Sequence, residues 1–143
     1  MYQYQHKVKY YETDKMGVTH HSNYIRFMEE ARVEWMDAFG YSYKKCEETG
    51  IISPVIAARC TYKKTTTFDD IITVTVRLKE YNGVKLTVAY EMQAEGASVA
   101  LGETDHCFLY RESGRPVRMK KDYPELDAML KEELKKDTEK EQV

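Results

Sequence analysis

Between Ile72 and Lys79 apolar and polar residues alternate without an error, Ile-Thr-Val-Thr-Val-Arg-Leu-Lys, and the run leads into Asn82-Gly83. A period of two puts one set of side chains on each face of a strand, and Asn-Gly tolerates the positive φ angles of a tight hairpin. Lys85 to Ala94 continues the pattern, with Leu86, Val88, Tyr90 and Met92 on one face. Glu95-Gly96 marks a second turn, followed by a strand from about Val99 to Tyr110. An earlier strand places Tyr4, His6, Val8 and Tyr10 on one face, and a weaker pattern predicts another from Val55 to about Lys64. The connections are hairpin-like, which excludes a sheet built from βαβ units.

One segment departs from this rhythm. From Tyr24 to Phe39 the apolar positions are Tyr24, Phe27, Met28, Ala31, Trp35, Met36, Ala38 and Phe39, spaced by threes and fours. Ser22 or Asn23 is positioned to cap the start of this helix, and Gly40 to stop it. Its apolar arc is wide, so the helix packs on more than one side. Asp122-Tyr123-Pro124-Glu125 reads as a capping box for a second helix carrying Leu126, Met129, Leu130 and Leu134. Beyond it, residues 135–143 are almost wholly charged and are expected to fray into solvent. The pattern as a whole is α+β: a long helix near the N-terminus wrapped by an antiparallel sheet, with a C-terminal helix.

A chain of 143 residues with no dividing linker forms a single domain over 1–143. Its 22 Lys+Arg against 24 Asp+Glu lack the basic excess of a dedicated nucleic-acid binder. No apolar run approaches the roughly 18 residues of a membrane span. The first residues, Met-Tyr-Gln-Tyr-Gln-His, lack a signal peptide's apolar segment, so the expected location is the cytoplasm. Cys46, Cys60 and Cys107 have no CxxC spacing and are expected to be buried, reduced thiols. Twelve tyrosines against one tryptophan stand out, and Tyr2, Tyr4, Tyr10, Tyr11, Tyr24, Tyr41 and Tyr43 cluster in the N-terminal third.

The stretch Tyr10-Tyr11-Glu12-Thr13-Asp14-Lys15-Met16-Gly17-Val18-Thr19-His20-His21-Ser22-Asn23-Tyr24 carries the chemistry. It joins the first strand to the long helix, with Gly17 free to turn the backbone sharply. A carboxylate and two histidines therefore meet a helix N-terminus, where unpaired N–H donors and the positive end of the helix dipole face outward. Such donors stabilise the oxyanion of an attacked carbonyl, and the carboxylate can attack or activate water. Hydrolysis of an acyl group is permitted, though a simple turn-capping role also explains Asp14. His20 and His21 lack the HxH or HxxxH companion spacing of a metal site, so no metal is expected. His6 and His106 fall in strands, where structural roles are expected; no Gly-x-Ser-x-Gly elbow, P-loop or dinucleotide fingerprint is present.

Tyr11-Glu12-Thr13-Asp14, Gly17-Val18, His21-Ser22-Asn23-Tyr24, Phe27, Glu29, Ala31-Arg32 and Glu34-Trp35 together resemble the hot-dog-fold acyl-CoA thioesterases. The similarity is to the 4-hydroxybenzoyl-CoA thioesterase type, including the short acyl-CoA thioesterases associated with bacterial Tol-Pal clusters. By element order it extends from Tyr4 to Pro124, and Phe68-Asp69-Asp70 resembles the family's tight turn before an alternating strand. The resemblance implies that Asp14 is the catalytic aspartate, as nucleophile or general base. It implies a catalytic role for His21, whose backbone N–H would polarise the thioester carbonyl while its side chain orients substrate or water. Gly17, Val18, Asn23 and Tyr24 would contact substrate, and Lys85 would meet a phosphate. Coenzyme A is then part of the substrate, no cofactor is required, and a homodimer or homotetramer is implied.

Lys15-Met16 and His20 depart from the family's usual residues beside the acyl site, which leaves acyl preference open. Two rival readings remain beside an acyl-CoA thioesterase. An acyl-carrier-protein thioesterase would need a cationic rim, for which Arg26, Lys63, Lys64 and Lys85 are candidates. A non-catalytic acyl-CoA binding module would use the same fold without needing Asp14.

Overall fold

The computed structural model describes residues 1–141, and they form one five-stranded antiparallel sheet, a small two-stranded sheet and four helices. In chain order the elements are β1 (Tyr2–Lys7), a 3-10 turn (Tyr10–Glu12), α1 (Ser22–Phe39), α2 (Tyr43–Glu48), β2 (Ile51–Ile52) and β3 (Val55–Tyr62). There follow β4 (Ile71–Tyr81), β5 (Lys85–Ala94), β6 (Ala97–Cys107), β7 (Leu109–Tyr110), α3 (Met119–Asp122) and α4 (Pro124–Glu141). The main sheet runs β1-β4-β5-β6-β3, and β2 pairs with β7. The α+β architecture expected from the alternation is therefore the one observed.

The two hairpins use different chemistry. Glu95 and Gly96 both take positive φ, 51° and 77°, and join β5 to β6 as a two-residue turn. At the other hairpin only Gly83 takes positive φ, while the Asn82 Oδ1 accepts from the Val84 and Lys85 N–H groups. Asparagine there works through its side chain, as in an Asx turn.

Helix α1 packs against β1, β4 and β3. Since β1 and β3 are opposite edges of the sheet, the sheet must curl around the helix. Phe27, Met28, Ala31 and Trp35 are buried against Ile72, Val74, Val76 and Leu78 of β4 and Val88 and Met92 of β5. A Cβ at Gly102 of β6 would lie 2.3 Å from the Met28 Sδ, so glycine is what lets α1 sit this close. Gly40 ends the helix at φ 101°, with its N–H bonded to the Met36 and Asp37 carbonyls.

Two terminal expectations are corrected. The expected fraying from residue 135 is replaced by helix up to Glu141; residues 142–143 of that segment lie outside the described residues. The reason is that β1 pairs with β4 only as far as Val76, leaving the next N–H of that edge open. The fully buried Asp137 accepts it from Leu78 at 2.8 Å and also pairs with the Met1 amino group. Nor does Asp122 cap α4. It ends α3, and its carboxylate accepts the Tyr110 hydroxyl while Glu125 pairs with Lys45. Of the cysteines only Cys46 is buried, and burial pushes its thiol up to about 11; Cys60 and Cys107 are half-buried.

A buried polar thread runs between α1 and the sheet. Arg32 donates to the Tyr43 and Tyr90 hydroxyls, Tyr90 meets Thr104 Oγ1 at 2.7 Å, and His106 Nε2 lies 2.8 Å from the same hydroxyl. Burial first, and then the Arg32 guanidinium, push the His106 imidazole down to about 4. An unfolded histidine titrates near about 6.5. Between these values the unfolded chain binds a proton that the folded chain refuses, so stability falls as pH drops from about 6.5 towards 4. Thermal melts should show a loss of roughly 2 kcal/mol between pH 7 and 5, and His106→Gln should remove most of that slope. An unchanged slope in the variant would assign the acid sensitivity to other groups.

Candidate active site

The loop from Thr13 to Thr19 is a miniature antiparallel ladder. Its rungs are the His20 N–H to Glu12 carbonyl bond at 2.8 Å and the Asp14 N–H to Val18 carbonyl bond at 2.9 Å. Gly17, at φ 79°, closes its tip by donating to the Asp14 carbonyl at 3.0 Å. The Asp14 side chain is half-buried, and its Oδ1 accepts the Met16 N–H at 2.8 Å. One carboxylate oxygen thus serves the turn, while among the described residues Oδ2 has no recorded partner. The turn-capping role and a chemical role are compatible in one side chain.

Helix α1 begins where this ladder ends, with His21 at the N-cap position. Neither Ser22 nor Asn23 caps it. The Ser22 N–H donates to His20 Nδ1 at 3.2 Å, and Asn23 uses its side-chain amide to donate to the Glu12 carbonyl at 2.8 Å. Asn23 therefore ties the helix start to the loop. The His21 N–H has no acceptor among the described residues, as expected of a group at the open end of a helix. His20 and His21 stack at 4.3 Å between ring centroids.

Asp14, Met16, Val18, Thr19, His21 and Tyr24 line a cavity of about 350 Å³. Its other wall comes from Tyr62, the last residue of β3, and from Lys63, Lys64 and Thr65 just after it. A hydroxyl chain joins the two walls: the Thr66 Oγ1 lies 2.6 Å from Thr19 Oγ1 and 2.9 Å from the Tyr24 hydroxyl. The Thr19 N–H donates to the Thr66 carbonyl, and the Thr67 hydroxyl to the Gly17 carbonyl. Tyr62 packs edge-on to both Tyr24 and His21 and donates its hydroxyl to the His21 carbonyl at 3.2 Å. Burial pushes the Tyr24 and Tyr62 hydroxyls up, so both stay neutral donors near pH 7. Asp14 is the sole carboxylate on this wall, and neither Lys63 nor Lys64 is in an ion pair among the described residues.

The residues expected at the site divide accordingly. Asp14, Val18, His21 and Tyr24 come together on the cavity wall, while Gly17 and Asn23 shape the loop behind it. Lys85 is not brought here within the chain. It starts β5, 3.6 Å from Asp105, on the sheet surface that also holds Arg59 and Glu103. Arg26 is exposed and does not line the cavity. Among the described residues no three His, Cys, Asp or Glu side chains converge as a metal site. No described helix is long and apolar enough to cross a membrane.

Comparison with known proteins places this arrangement. A family profile described as the Thioesterase-like superfamily matches residues 8–133, which spans the loop, α1 and the whole sheet after β1. The chain belongs to this superfamily. Its fold is the hot-dog fold, and it is a thioester hydrolase. The 1,4-dihydroxy-2-naphthoyl-CoA hydrolase of Thermosynechococcus vestitus is 27% identical over 108 residues, 74% of each chain. The crystal structure of a DHNA-CoA thioesterase from Staphylococcus aureus superposes with a TM-score of 0.87 at 29% identity, covering 91% of this chain and 88% of that one. A hypothetical protein from Aquifex aeolicus gives a TM-score of 0.84 at 34% identity, covering 91% and 99%.

Sequence reasoning missed Tyr62 and Thr65 on the cavity wall of this thioesterase, and Thr66, which binds Thr19 and Tyr24. Their only sequence signal is a tyrosine closing a weak strand ahead of Lys-Lys-Thr-Thr-Thr, which reads as an ordinary polar loop. Thr66 is 3% exposed and bridges two buried hydroxyls. Thr66→Val should remove the bridging oxygen from both and lower stability by about 1–3 kcal/mol, read as a drop of several degrees in Tm. An unchanged Tm would mean that the hydroxyl bridge does not hold the walls together.

Proposed function

We propose that this thioesterase hydrolyses acyl-CoA thioesters to a carboxylic acid and free CoA, with Asp14 as the catalytic residue. The observation that carries the reading is the cavity wall itself, where Asp14 stands beside an N-cap residue whose N–H is unclaimed. With Oδ1 held by the Met16 N–H, Oδ2 is the oxygen that reacts. As a nucleophile it adds to the thioester carbonyl, and the tetrahedral intermediate expels CoA thiolate to leave a mixed anhydride that water cleaves. As a general base it takes a proton from the water that adds to the same carbon. Either route places negative charge on the carbonyl oxygen, for which the His21 N–H and the α1 dipole are the stabilising donors.

The surrounding residues support a CoA-type substrate. Lys63 and Lys64, on the other wall of the cavity from Asp14, suit the phosphates of a CoA or phosphopantetheine carrier. Tyr24, Tyr62 and Met16 supply apolar surface for the acyl group, and about 350 Å³ accommodates a compact aliphatic or aromatic one. The thioester is already an activated acyl donor, so the route draws on no metal or organic cofactor. Lys85 lies on a separate cleft with Lys79 and Asn82, so in this reading it reaches CoA only from a second subunit. Strand β3 is an exposed sheet edge, with Val55, Ile56 and Tyr62 each about half exposed, which suits assembly into a dimer.

Free-thiol release from a panel of short aliphatic and aromatic acyl-CoAs tests the proposal. Asp14→Asn should lower kcat by about a hundredfold or more on every accepted substrate while the fold persists. Turnover equal to that of the parent protein would remove Asp14 from the reaction.

A further inference from the structure

His6 and Glu12 form a buried pair that the chemistry above does not use. Each is 6% exposed, and His6 Nε2 lies 2.7 Å from Glu12 Oε1. The His6 ring packs tilted against Phe27 of α1 at 4.3 Å between centroids, and its Nδ1 faces the Tyr4 hydroxyl and Glu30. Tyr4 in turn donates to Glu30 and Tyr2 to Glu34, so the imidazole belongs to a set of polar links between β1 and α1. Two charged-type side chains out of water are costly, and such a pair persists where its geometry specifies something.

What it specifies is the base of the catalytic loop. Glu12 is engaged through both its side chain and its main chain. Its carboxylate accepts from the Lys9 N–H at 2.7 Å besides meeting His6. Its main-chain carbonyl accepts from the His20 N–H and from Asn23 Nδ2, both at 2.8 Å. Glu12 is thus the lowest rung of the ladder that carries Asp14, and also the anchor of the helix start that carries His21. With α1 seated by its buried face, rotation of this residue shifts Asp14 relative to the helix start.

We propose that Glu12, locked by His6, is a positioning residue that sets Asp14 against the α1 N-terminus. The inference rests on the thioesterase reading of Asp14. Glu12 touches no cavity space and acts only through the loop. Misplacement of a reacting group by about 1 Å costs on the order of a hundredfold in rate, which is the scale on which such an anchor is felt. Substrate contacts from Tyr24, Tyr62, Lys63 and Lys64 stay in place, so the loss should fall on kcat and not on KM.

The experiment measures kcat and KM for an accepted acyl-CoA in Glu12→Ala, Glu12→Gln and each combined with Asp14→Asn. Glu12→Ala should lower kcat by about tenfold to a hundredfold with KM within about threefold. Glu12→Gln keeps an oxygen for the Lys9 N–H and His6, and should recover most of the rate. In the Asp14→Asn background Glu12→Ala should add no further loss, because the group it positions is gone. Full kcat in folded Glu12→Ala, no rescue by glutamine, or an undiminished further loss without Asp14 would each overturn the proposal. Should Glu12→Ala not fold, His6→Phe, which keeps the ring on Phe27 and removes the nitrogen, takes its place with the same expectations. Parent-level turnover in Asp14→Asn alone would instead overturn the reading of Asp14, so the two failures are distinguishable.

Discussion

Helix α1 touches strands at both edges of the sheet, and the buried side chains Phe27, Met28, Ala31 and Trp35 hold it there. Burying a side chain the size of Phe27 or Met28 contributes about 1.5–3 kcal/mol, and Gly102 supplies the room that Met28 needs. Once the helix is seated, its first turn has one place to go: beside the end of the sheet where β3 finishes and β4 begins. The loop from β1 must reach that turn, and the segment after β3 must pass over it. The cavity is the space enclosed by those two crossings, so it follows from helix packing and owes little to the loop's own preferences.

Hydrogen bonding then decides how rigid that space is. The Asp14 loop is held on one side by Glu12, with His20 and Asn23 donating to a single carbonyl. On the other side Thr66 and Thr67 bind Thr19 and Gly17 through both main chain and side chain. Buried hydroxyls and carboxylates are costly when unpaired, so a network in which they are paired permits few alternatives. Preorganisation of this kind is what a site needs if its donors are to meet developing negative charge without rearranging. Asp14 Oδ2 and the His21 N–H, which have no partner among the described residues, are the groups that the proposed chemistry uses.

The fold was legible wherever one face of an element is buried and the other is not. Strands β4 and β5 and helix α1 were readable for that reason, and Gly40 stopped the helix where its positive φ was needed. Strand β3 gave only a weak pattern because none of its residues is buried, so no alternation exists to read. The short α2 and α3, and the β2–β7 pair, have too few residues for any period to show. Residues 135–140 looked like a solvated tail because their one buried side chain is an aspartate, and its partner is a main-chain N–H far away in sequence. At the site, Asp14, Val18, His21 and Tyr24 were legible because they lie in one continuous motif. Glu12 sat in the same motif without revealing that it is buried, and Tyr62 and Thr66 belong to a segment joined to it only by folding. Tyrosine abundance was an uneven guide: Tyr24 and Tyr62 line the cavity, whereas Tyr10 and Tyr11 are 77% and 81% exposed.

The central claim is geometric: a thioester carbonyl is held between Asp14 and the N-terminus of α1. Its most direct test is a crystal structure of the Asp14→Asn variant with an unhydrolysed acyl-CoA bound. The account predicts the thioester oxygen within about 3 Å of the His21 main-chain nitrogen, the usual reach of an oxyanion-stabilising donor. It also predicts the carbonyl carbon facing the residue-14 side chain, with the acyl group against Tyr24 and Tyr62. A thioester bound away from the Tyr10–Tyr24 loop, or one whose oxygen meets no donor of the α1 first turn, would contradict it.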